Sequence, residues 1–166
     1  MADERHERHV ELLLRAVELS EHAVAHGNTP FGALVVGPGG EVLIEQENVE
    51  VTESDCTGHA ETRAAAAASR KYPKEFLADC TLYTSAEPCA MCAGAIHWSG
   101  IGRVVFALSE RTLYDIVGPS PEHLLLPCRD VFARSQRPME VLGPSAELDA
   151  EARAVHEGFW KPAPSK

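Results

Sequence analysis

The most constraining feature of the chain is a pair of cysteines, Cys89 and Cys92, that follows Pro88 and opens an apolar segment. Proline is favoured at the start of a helix, and residues three apart lie on the same helical face. The pattern therefore predicts a helix whose first turn presents two sulfur atoms on one side. This spacing is typical of a metal site.

A further candidate metal ligand and a candidate acid–base residue lie upstream, in the segment His59-Ala60-Glu61. One histidine and two cysteines fill three positions of a tetrahedral zinc ion and leave the fourth open for water, which is the arrangement of a catalytic site. Zinc lowers the pKa of its bound water to about 7, so that water becomes a nucleophile at neutral pH. A hydrolytic reaction also needs a group that takes up the proton of the water, and Glu61 is the candidate.

A structural zinc site with four protein ligands is the alternative. Cys56 is the main rival for the fourth position, because it lies three residues before His59. We expect Cys80 and Cys128 to be buried as small apolar side chains. The sequence does not show whether the sulfur of Cys56 faces the metal, so both kinds of site stay open at this point.

The two halves of the motif, His59-Ala60-Glu61 and Pro88-Cys89-Ala90-Met91-Cys92, match the H-x-E…P-C-x-x-C signature of zinc nucleobase deaminases. The chain resembles the cytidine deaminase superfamily over Leu12 to Ala107, and within it the guanine, cytosine and bacterial tRNA adenosine deaminases. The other segments that carry the resemblance are Thr29-Pro30-Phe31-Gly32-Ala33, Asn48, Leu82-Tyr83-Thr84-Ser85 and Ile101-Gly102-Arg103-Val104-Val105-Phe106.

The resemblance implies a fold, a metal and an assembly. The expected fold is α/β, a three-layer α/β/α sandwich with a five-stranded mixed sheet. The expected cofactor is Zn²⁺ held by His59, Cys89 and Cys92, with Glu61 carrying a proton from water to the departing amine. The chain is expected to form a homodimer or larger homo-oligomer whose neighbour helps to close each pocket.

The resemblance also implies substrate-binding residues. Asn48 precedes His59 by eleven residues, the offset of an asparagine that contacts the base in the family. A flat base needs an apolar wall, and the polar edge of the ring needs hydrogen-bonding groups. The further candidates for these roles are Phe31, Trp98, Ala60 and Ser85. Specificity residues of the family follow the fourth strand, where this chain has Tyr114, Asp115 and Glu122.

Composition limits the partners and the location of the protein. A chain of 166 residues has the length of one domain, so we expect a single deaminase domain over 1–166 with a loose tail at 161–166. The net charge of −10 has the wrong sign for following a phosphate backbone, and it disfavours nucleic acid as a partner. We expect no membrane contact and a cytoplasmic location, because the sequence shows neither a long apolar stretch nor a secretory signal.

Apolar periodicity and turn residues predict the order of the elements. The pattern predicts β-β-α-β-α-β after an initial helix, with a parallel pairing across the cysteine helix. After Ser109 the signals weaken because prolines divide the chain into short pieces. The predicted elements are a helix over 4–25, strands over 33–36 and 41–45, a helix to Arg70, strands over 80–84 and 103–107, a helix over 121–132, a strand over 140–142 and a helix to Phe159 with Ser145 as its N-cap.

The sequence favours guanine as the substrate, with xanthine and ammonia as products. The reasons are the acidic chain and the resemblance of Ala95-Ile96-His97-Trp98 to the corresponding segment of guanine deaminases. A tRNA adenosine deaminase is the main alternative, since Ala93-Gly94-Ala95 resembles those enzymes nearly as well. Cytosine, a nucleoside or an aminated triazine comes next. A zinc-stabilised binding protein without turnover is the non-enzymatic alternative.

Overall fold

The computed structural model describes residues 2–161, with side chains from residue 6 onward. The tail expected to be loose spans residues 161–166, and residues 162–166 of it lie outside the described residues. The helices are α1 (Ala2–Ala25), α2 (Ala60–Lys71), α3 (Lys74–Leu77), α4 (Ala90–Ser99), α5 (Glu110–Val117), α6 (Cys128–Phe132) and α7 (Asp149–Trp160). The strands are β1 (Gly32–Val36), β2 (Val42–Glu47), β3 (Thr81–Ala86), β4 (Arg103–Leu108) and β5 (Glu140–Leu142).

The five strands form one mixed sheet in the order β2-β1-β3-β4-β5. Strand β1 pairs antiparallel with β2 and β3, whereas β3, β4 and β5 run parallel. The prediction of a five-stranded mixed sheet is confirmed, and so is the parallel pairing across α4. Because α4 connects β3 to β4, its first turn lies where β3 ends, at the carboxyl edge of the parallel strands.

Helices cover both faces of the sheet and make three layers. On one face, α2, α3, α4 and α6 pack through buried side chains such as Ala64, Leu77 and Ile96. On the other face, α1, α5 and α7 pack through side chains such as Leu13 and Leu113. Full burial of one leucine or isoleucine side chain stabilises a fold by about 1.5–3 kcal/mol relative to exposure. The alanine run of α2 is buried at Ala64, Ala65 and Ala68, which lets this helix pack closely on the sheet and on α4.

Gly32 allows α1 to lie directly on the first residue of β1. A Cβ atom at this position would lie 2.5 Å from the carbonyl oxygen of Ala16 and 2.5 Å from Cβ of Leu19. Both distances are far shorter than a van der Waals contact, so only glycine fits. This close packing fixes the residue before it, Phe31, whose carbonyl oxygen accepts a 3.0 Å hydrogen bond from the amide of Asn48.

Two predictions for the last third of the chain are wrong in their details. The helix predicted over 121–132 is helical only from Cys128, because Pro127 precedes it and the amide of Leu126 donates to the Glu110 carboxylate at 3.0 Å. Ser145 is not the N-cap of the final helix, which begins at Asp149. The reason is that the amide of Ser145 donates to the carbonyl of Ala107 at 3.0 Å, so this residue is held at the end of β4.

Helix α5 was not predicted, although its start carries a capping signal. Ser109 is the N-cap of this helix, and its hydroxyl oxygen accepts a 3.1 Å hydrogen bond from the amide of Thr112. Serine at this position is among the favoured N-cap residues. The predicted strand over 140–142 is present as β5, and Cys80 and Cys128 are buried as expected.

Candidate active site and metal centre

Two helix starts meet at the carboxyl end of β3. His59 is the N-cap residue of α2, and Cys89 is the N-cap residue of α4. Neither side chain caps its own helix through a hydrogen bond, so both are free to point at a common ligand. The positive ends of two helix dipoles thus face one small volume, which favours anionic ligands such as thiolates.

His59, Cys89 and Cys92 lie close enough together to hold one metal ion. The Nδ1 atom of His59 lies 3.6 Å from Sγ of Cys89 and 3.5 Å from Sγ of Cys92. The three ligand atoms all lie within 4.8 Å of one another, and Cys56 is exposed and outside this cluster. One imidazole nitrogen and two sulfurs suit tetrahedral zinc and leave a fourth position open. The donor set therefore fits zinc, and among the described residues no third cysteine completes a closed four-ligand site.

The pKa values of the two thiols shift in opposite directions, because their sulfurs are hydrogen-bonded to each other. The pKa of Cys89 is lowered to about 4, because Cys92 and His59 both hydrogen-bond to its sulfur. The pKa of Cys92 is raised for the same reason, since the shared proton stays on Cys92. The pKa of His59 is raised to about 9, chiefly through its bond to Cys89. The three ligand atoms thus share protons closely, and a bound cation would take the place of those protons.

Glu61 is a buried carboxylic acid beside the cluster. Its side chain is 3% exposed, its Oε1 atom accepts a 3.1 Å hydrogen bond from Thr84, and its Oε2 atom lies 3.6 Å from Sγ of Cys92. Burial, followed by the negative charge of Cys89, raises the pKa of Glu61 to about 7. A group with such a pKa gains and loses a proton readily at neutral pH, which is the requirement for a proton carrier.

The helix start explains how His59 and Glu61 reach the same volume. Residues two apart inside a helix point about 200° away from each other. His59, however, has extended backbone angles, φ −69° and ψ 142°, and only Ala60 begins the helix. The change of backbone conformation between them places both side chains on the side of the cysteines.

Asn48 lies beside Phe31, whose carbonyl oxygen accepts its amide, and beside Glu50, whose carboxylate lies 3.7 Å from His59. Asn48 is fully buried, and its Oδ1 atom accepts a 2.9 Å hydrogen bond from the amide of Glu50. Its Nδ2 atom has no hydrogen-bond partner among the described residues. The half-buried ring of Phe31 meets the ring of His156 edge to face at 5.2 Å between centroids. Asn48 therefore presents an unpaired donor, and Phe31 presents an apolar surface.

The remaining predicted site residues before β4 are Ala60, Ser85 and Trp98. Ala60 is buried at the first turn of α2, and the hydroxyl of Ser85 is used in the fold, since it accepts the amide of Gly32 at 3.1 Å. Trp98 is 73% exposed and lies six residues beyond Cys92, about 9 Å along the helix axis. It is therefore remote from the metal ligands along α4.

The three candidates after β4 lie on or near α5. Tyr114 is half-buried, and its ring stacks on the ring of His123 at 4.0 Å between centroids. Asp115 and Glu122 are exposed. The ring contact with His123 therefore holds the side chain of Tyr114 in place.

Sequence reasoning missed several groups that contact the site. Thr84 was noted only as part of a motif, yet its hydroxyl holds Glu61. The hydroxyl of Thr62 donates to Sγ of Cys92 at 3.3 Å, and the Nε2 atom of His59 lies 3.7 Å from Oε2 of Glu50. Thr62 follows Glu61 directly, and this adjacency could have indicated that it contacts the site. Nothing local in the sequence indicates that Glu50 does.

Comparison with known proteins agrees with this geometry. The family model described as “Cytidine and deoxycytidylate deaminase zinc-binding region” matches residues 6–108. A “Probable cytosine deaminase” of Schizosaccharomyces pombe is 40% identical over 156 residues, which cover 93% of each protein. A guanine deaminase of Bacillus subtilis is 42% identical over 105 residues, covering 63% of this chain and 66% of that protein.

A solved structure agrees as well. The X-ray structure of guanine deaminase from Bacillus subtilis is 28% identical, with a TM-score of 0.59 and coverage of 95% of this chain and 96% of that one. A five-stranded mixed sheet that carries a His-Cys-Cys cluster at its carboxyl edge defines a zinc-binding deaminase. The chain belongs to the cytidine and deoxycytidylate deaminase family. It is a hydrolase that acts on a C–N bond of a nucleobase or nucleoside. None of the helices within residues 2–161 is long and apolar enough to span a membrane.

Proposed function

We propose that the protein deaminates a free nucleobase, with cytosine as the leading substrate, in a single catalytic domain. The observation that supports this most is the buried carboxyl of Glu61, whose Oε2 lies 3.6 Å from a cysteine sulfur of the metal cluster. Burying a carboxylic acid costs stability, and groups whose pKa is shifted by burial are common at functional sites; the pKa of Glu61 is raised to about 7. This placement suits a group that exchanges protons with water at the metal.

The residues of the chain have separate roles in this proposal. His59, Cys89 and Cys92 would hold the zinc ion, which would supply the Lewis acidity that makes water nucleophilic at neutral pH. Glu61 takes a proton from the attacking water at its carboxylate and later gives it to the amine that leaves as ammonia. Thr84 keeps Oε1 of Glu61 in a 3.1 Å hydrogen bond, so that Oε2 faces the cluster.

Asn48 orients the ring in this proposal. Its Nδ2 atom is buried without a hydrogen-bond partner among the described residues, and an unsatisfied buried donor costs about 1–3 kcal/mol. An acceptor on the substrate, such as a ring carbonyl oxygen, would remove that cost. Cytosine and guanine both carry a carbonyl group, whereas adenine has none, so this donor favours an oxo-substituted base.

Cytosine takes precedence over guanine because of how far the similarity extends. The likeness to the yeast protein spans 93% of this chain and so includes residues beyond 109. The likeness to the guanine deaminase sequence spans 63% of the chain. The segment that favoured guanine ends in exposed Trp98, and Nδ1 of its His97 lies 3.2 Å from the hydroxyl of Ser135. Guanine is the second candidate, supported by the guanine deaminase of Bacillus subtilis.

The charge of the chain argues against tRNA as the substrate. The net charge is −10, and affinity for nucleic acid depends on neutralising phosphates. The basic residues of α2 are Arg63, Arg70 and Lys71, and the first of them interacts with the protein itself. Arg63 donates to Gln46 at 3.0 Å and lies 3.4 Å from the carboxylate of Glu53. A homo-oligomer and a cytoplasmic location stay predictions, and sedimentation velocity would test the former.

A substrate panel tests the proposal. Ammonia release would be measured for zinc-loaded protein with cytosine, guanine, cytidine, guanosine, an aminated triazine and a tRNA anticodon stem-loop, with chelator-treated protein as the control. The proposal expects release from cytosine that depends on zinc. Release from guanine alone would replace the substrate by the second candidate. Release from the stem-loop alone would overturn the proposal, and absence of release throughout would favour the zinc-stabilised binding protein.

A further inference from the structure

The loop between β2 and α2, residues 48–58, holds a carboxylate against the far side of the metal-binding histidine. The Oε2 atom of Glu50 lies 3.7 Å from Nε2 of His59, which is within ion-pair distance. The opposite ring nitrogen, Nδ1, is the atom that faces Cys89 and Cys92. The imidazole therefore lies between two cysteine sulfurs on one side and one carboxylate on the other.

This arrangement determines which ring nitrogen carries the proton. A neutral histidine that ligates a metal through Nδ1 must have its proton on Nε2. A carboxylate near Nε2 accepts that proton in a hydrogen bond, fixes the ring orientation and makes Nδ1 a better ligand. Glu50 is placed to do this. The distance requires only a small rotation of a half-exposed carboxylate to become a hydrogen bond.

The backbone of Glu50 is fixed from both sides, although its side chain is half-exposed. Its amide donates to Oδ1 of Asn48 at 2.9 Å, and its carbonyl accepts from the amide of Asp55 at 3.1 Å. The loop is closed by a 2.9 Å hydrogen bond from the amide of Val49 to the carbonyl of Gly58. A Cβ at Gly58 would lie 3.0 Å from the Glu50 nitrogen, so glycine permits this closure.

We propose that Glu50 is a positioning residue for His59 that strengthens zinc binding, and that Asn48 connects it to the base. Asn48 uses its Oδ1 to hold the Glu50 backbone and leaves Nδ2 for the substrate. One amide side chain thus joins ring recognition to the orientation of a metal ligand. The inference rests on the zinc-dependent function proposed above.

A carboxylate in the same loop provides a matched control. Glu53 is also exposed, but it pairs with Nη1 of Arg63 at 3.4 Å. Its removal takes the same charge from the loop without touching His59. A purely electrostatic effect of loop charge would appear equally in both variants.

The test is zinc affinity, measured by competition with a chromophoric chelator on metal-free protein. We expect Glu50→Ala to bind zinc about 10–100-fold more weakly than the wild type. Glu50→Gln should lose less, because its amide oxygen still accepts the Nε2 proton, and Glu53→Gln should bind as the wild type does. Equal zinc affinity in Glu50→Ala and the wild type would overturn the inference, as would equal losses in Glu50→Ala and Glu53→Gln.

A second measurement covers the case in which Glu50→Ala folds poorly. Nitrogen NMR of the histidine rings in zinc-loaded wild type and Glu50→Gln reports the protonated nitrogen and the strength of its hydrogen bond. We expect His59 to carry its proton on Nε2, with a proton shift that moves upfield in Glu50→Gln. An unchanged shift would contradict a contact with Glu50. Both measurements need no substrate, so a failure of cytosine deamination leaves their outcome readable on its own.

Discussion

The carboxyl edge of the parallel strands and the segment after β4 are built in different ways. At the edge, His59 and Cys89 are N-cap residues of α2 and α4, so regular elements place the chemical groups. In the later segment, residues 118–127 form neither helix nor strand. The family model matches the first region and ends at residue 108. The chemical groups thus lie at helix starts inside the range that the family model matches, and the later segment lies outside that range.

Two carboxylates hold the later segment beside the site. Glu87 follows β3 and accepts the amides of Glu110 at 2.9 Å and Cys128 at 3.0 Å, which are the first residues of α5 and α6. Glu110 in turn accepts the amide of Leu126. Burial and the nearby charge of Glu87 raise the pKa of Glu110. The segment is therefore attached to the scaffold at a residue two positions before Cys89.

The largest effect is expected from removing a metal ligand of the scaffold. Cys92→Ala should lose bound zinc and, with it, all deaminase activity, because two remaining ligands do not retain the ion. Cys56→Ala is the matched control and should keep both, since Cys56 is exposed and outside the cluster. Zinc content by atomic absorption and ammonia release measure the two effects. Loss of zinc in Cys56→Ala would instead support the four-ligand structural site.

The next effect compares core packing in the two regions. Ile96 is fully buried between α4 and the sheet, whereas Leu125 in the later segment is 73% exposed. Ile96→Ala should lower the free energy of unfolding by about 2–5 kcal/mol, since a cavity remains. Leu125→Ala should change it by less than about 0.5 kcal/mol. Urea unfolding of both variants measures this difference, and a large loss in Leu125→Ala would show that the segment is packed more tightly than the structure indicates.

His156 of the final helix contacts the ring of Phe31 and gives a prediction for pH. Burial lowers the pKa of His156 from 6.5 to about 4. As pH falls from 6.5 towards 4, His156 binds a proton in the unfolded chain but not in the folded chain. The free energy of unfolding therefore decreases on acidification. Between pH 8 and pH 5, the titration of His156 should lower the free energy of unfolding by about 2 kcal/mol.

His156→Gln isolates that contribution. Its free energy of unfolding should fall less between pH 8 and pH 5 than that of the wild type, by the amount given above. The comparison cancels the titration of carboxylates that both proteins share. Identical pH dependence in the two proteins would mean that folding does not lower the pKa of His156.

The smallest effect is expected where the two regions are joined. Glu87→Gln keeps only one acceptor oxygen for two backbone amides, so one buried amide loses its partner. The loss of a hydrogen bond to a charged group should cost about 1.5 kcal/mol and raise KM for the base more than it lowers kcat. Glu157→Gln changes an exposed carboxylate of α7 that takes no part in this attachment and should have no effect. Equal behaviour of the two variants would show that the attachment has no influence on the pocket.

The sequence predicted the scaffold better than the later segment, for physical reasons. Cys89, Cys92 and His59 carry local signals, because proline, spacing and ligand type point to one chemistry. The shared side of His59 and Glu61 depends on an extended N-cap residue, which spacing alone does not encode. Glu50 contacts His59 through a folded loop, and no local pattern indicates that contact.

The later segment was predicted poorly because its contacts are distant in sequence. The amide of Ser145 pairs with Ala107, and the amide of Leu126 pairs with Glu110. Such contacts override local helix signals at Ser145 and over 121–132. Helix α5 is different, since its N-cap residue Ser109 is a local signal that the sequence itself carries.

The most direct test of the account is the turnover of Glu61→Gln. This change keeps the shape of the side chain and removes its ability to carry a proton. With zinc content equal to that of the wild type, kcat for cytosine should fall by about 10²–10⁴-fold, the usual contribution of a positioned acid–base group. A kcat close to the wild-type value, at equal zinc content, would contradict the role given to Glu61.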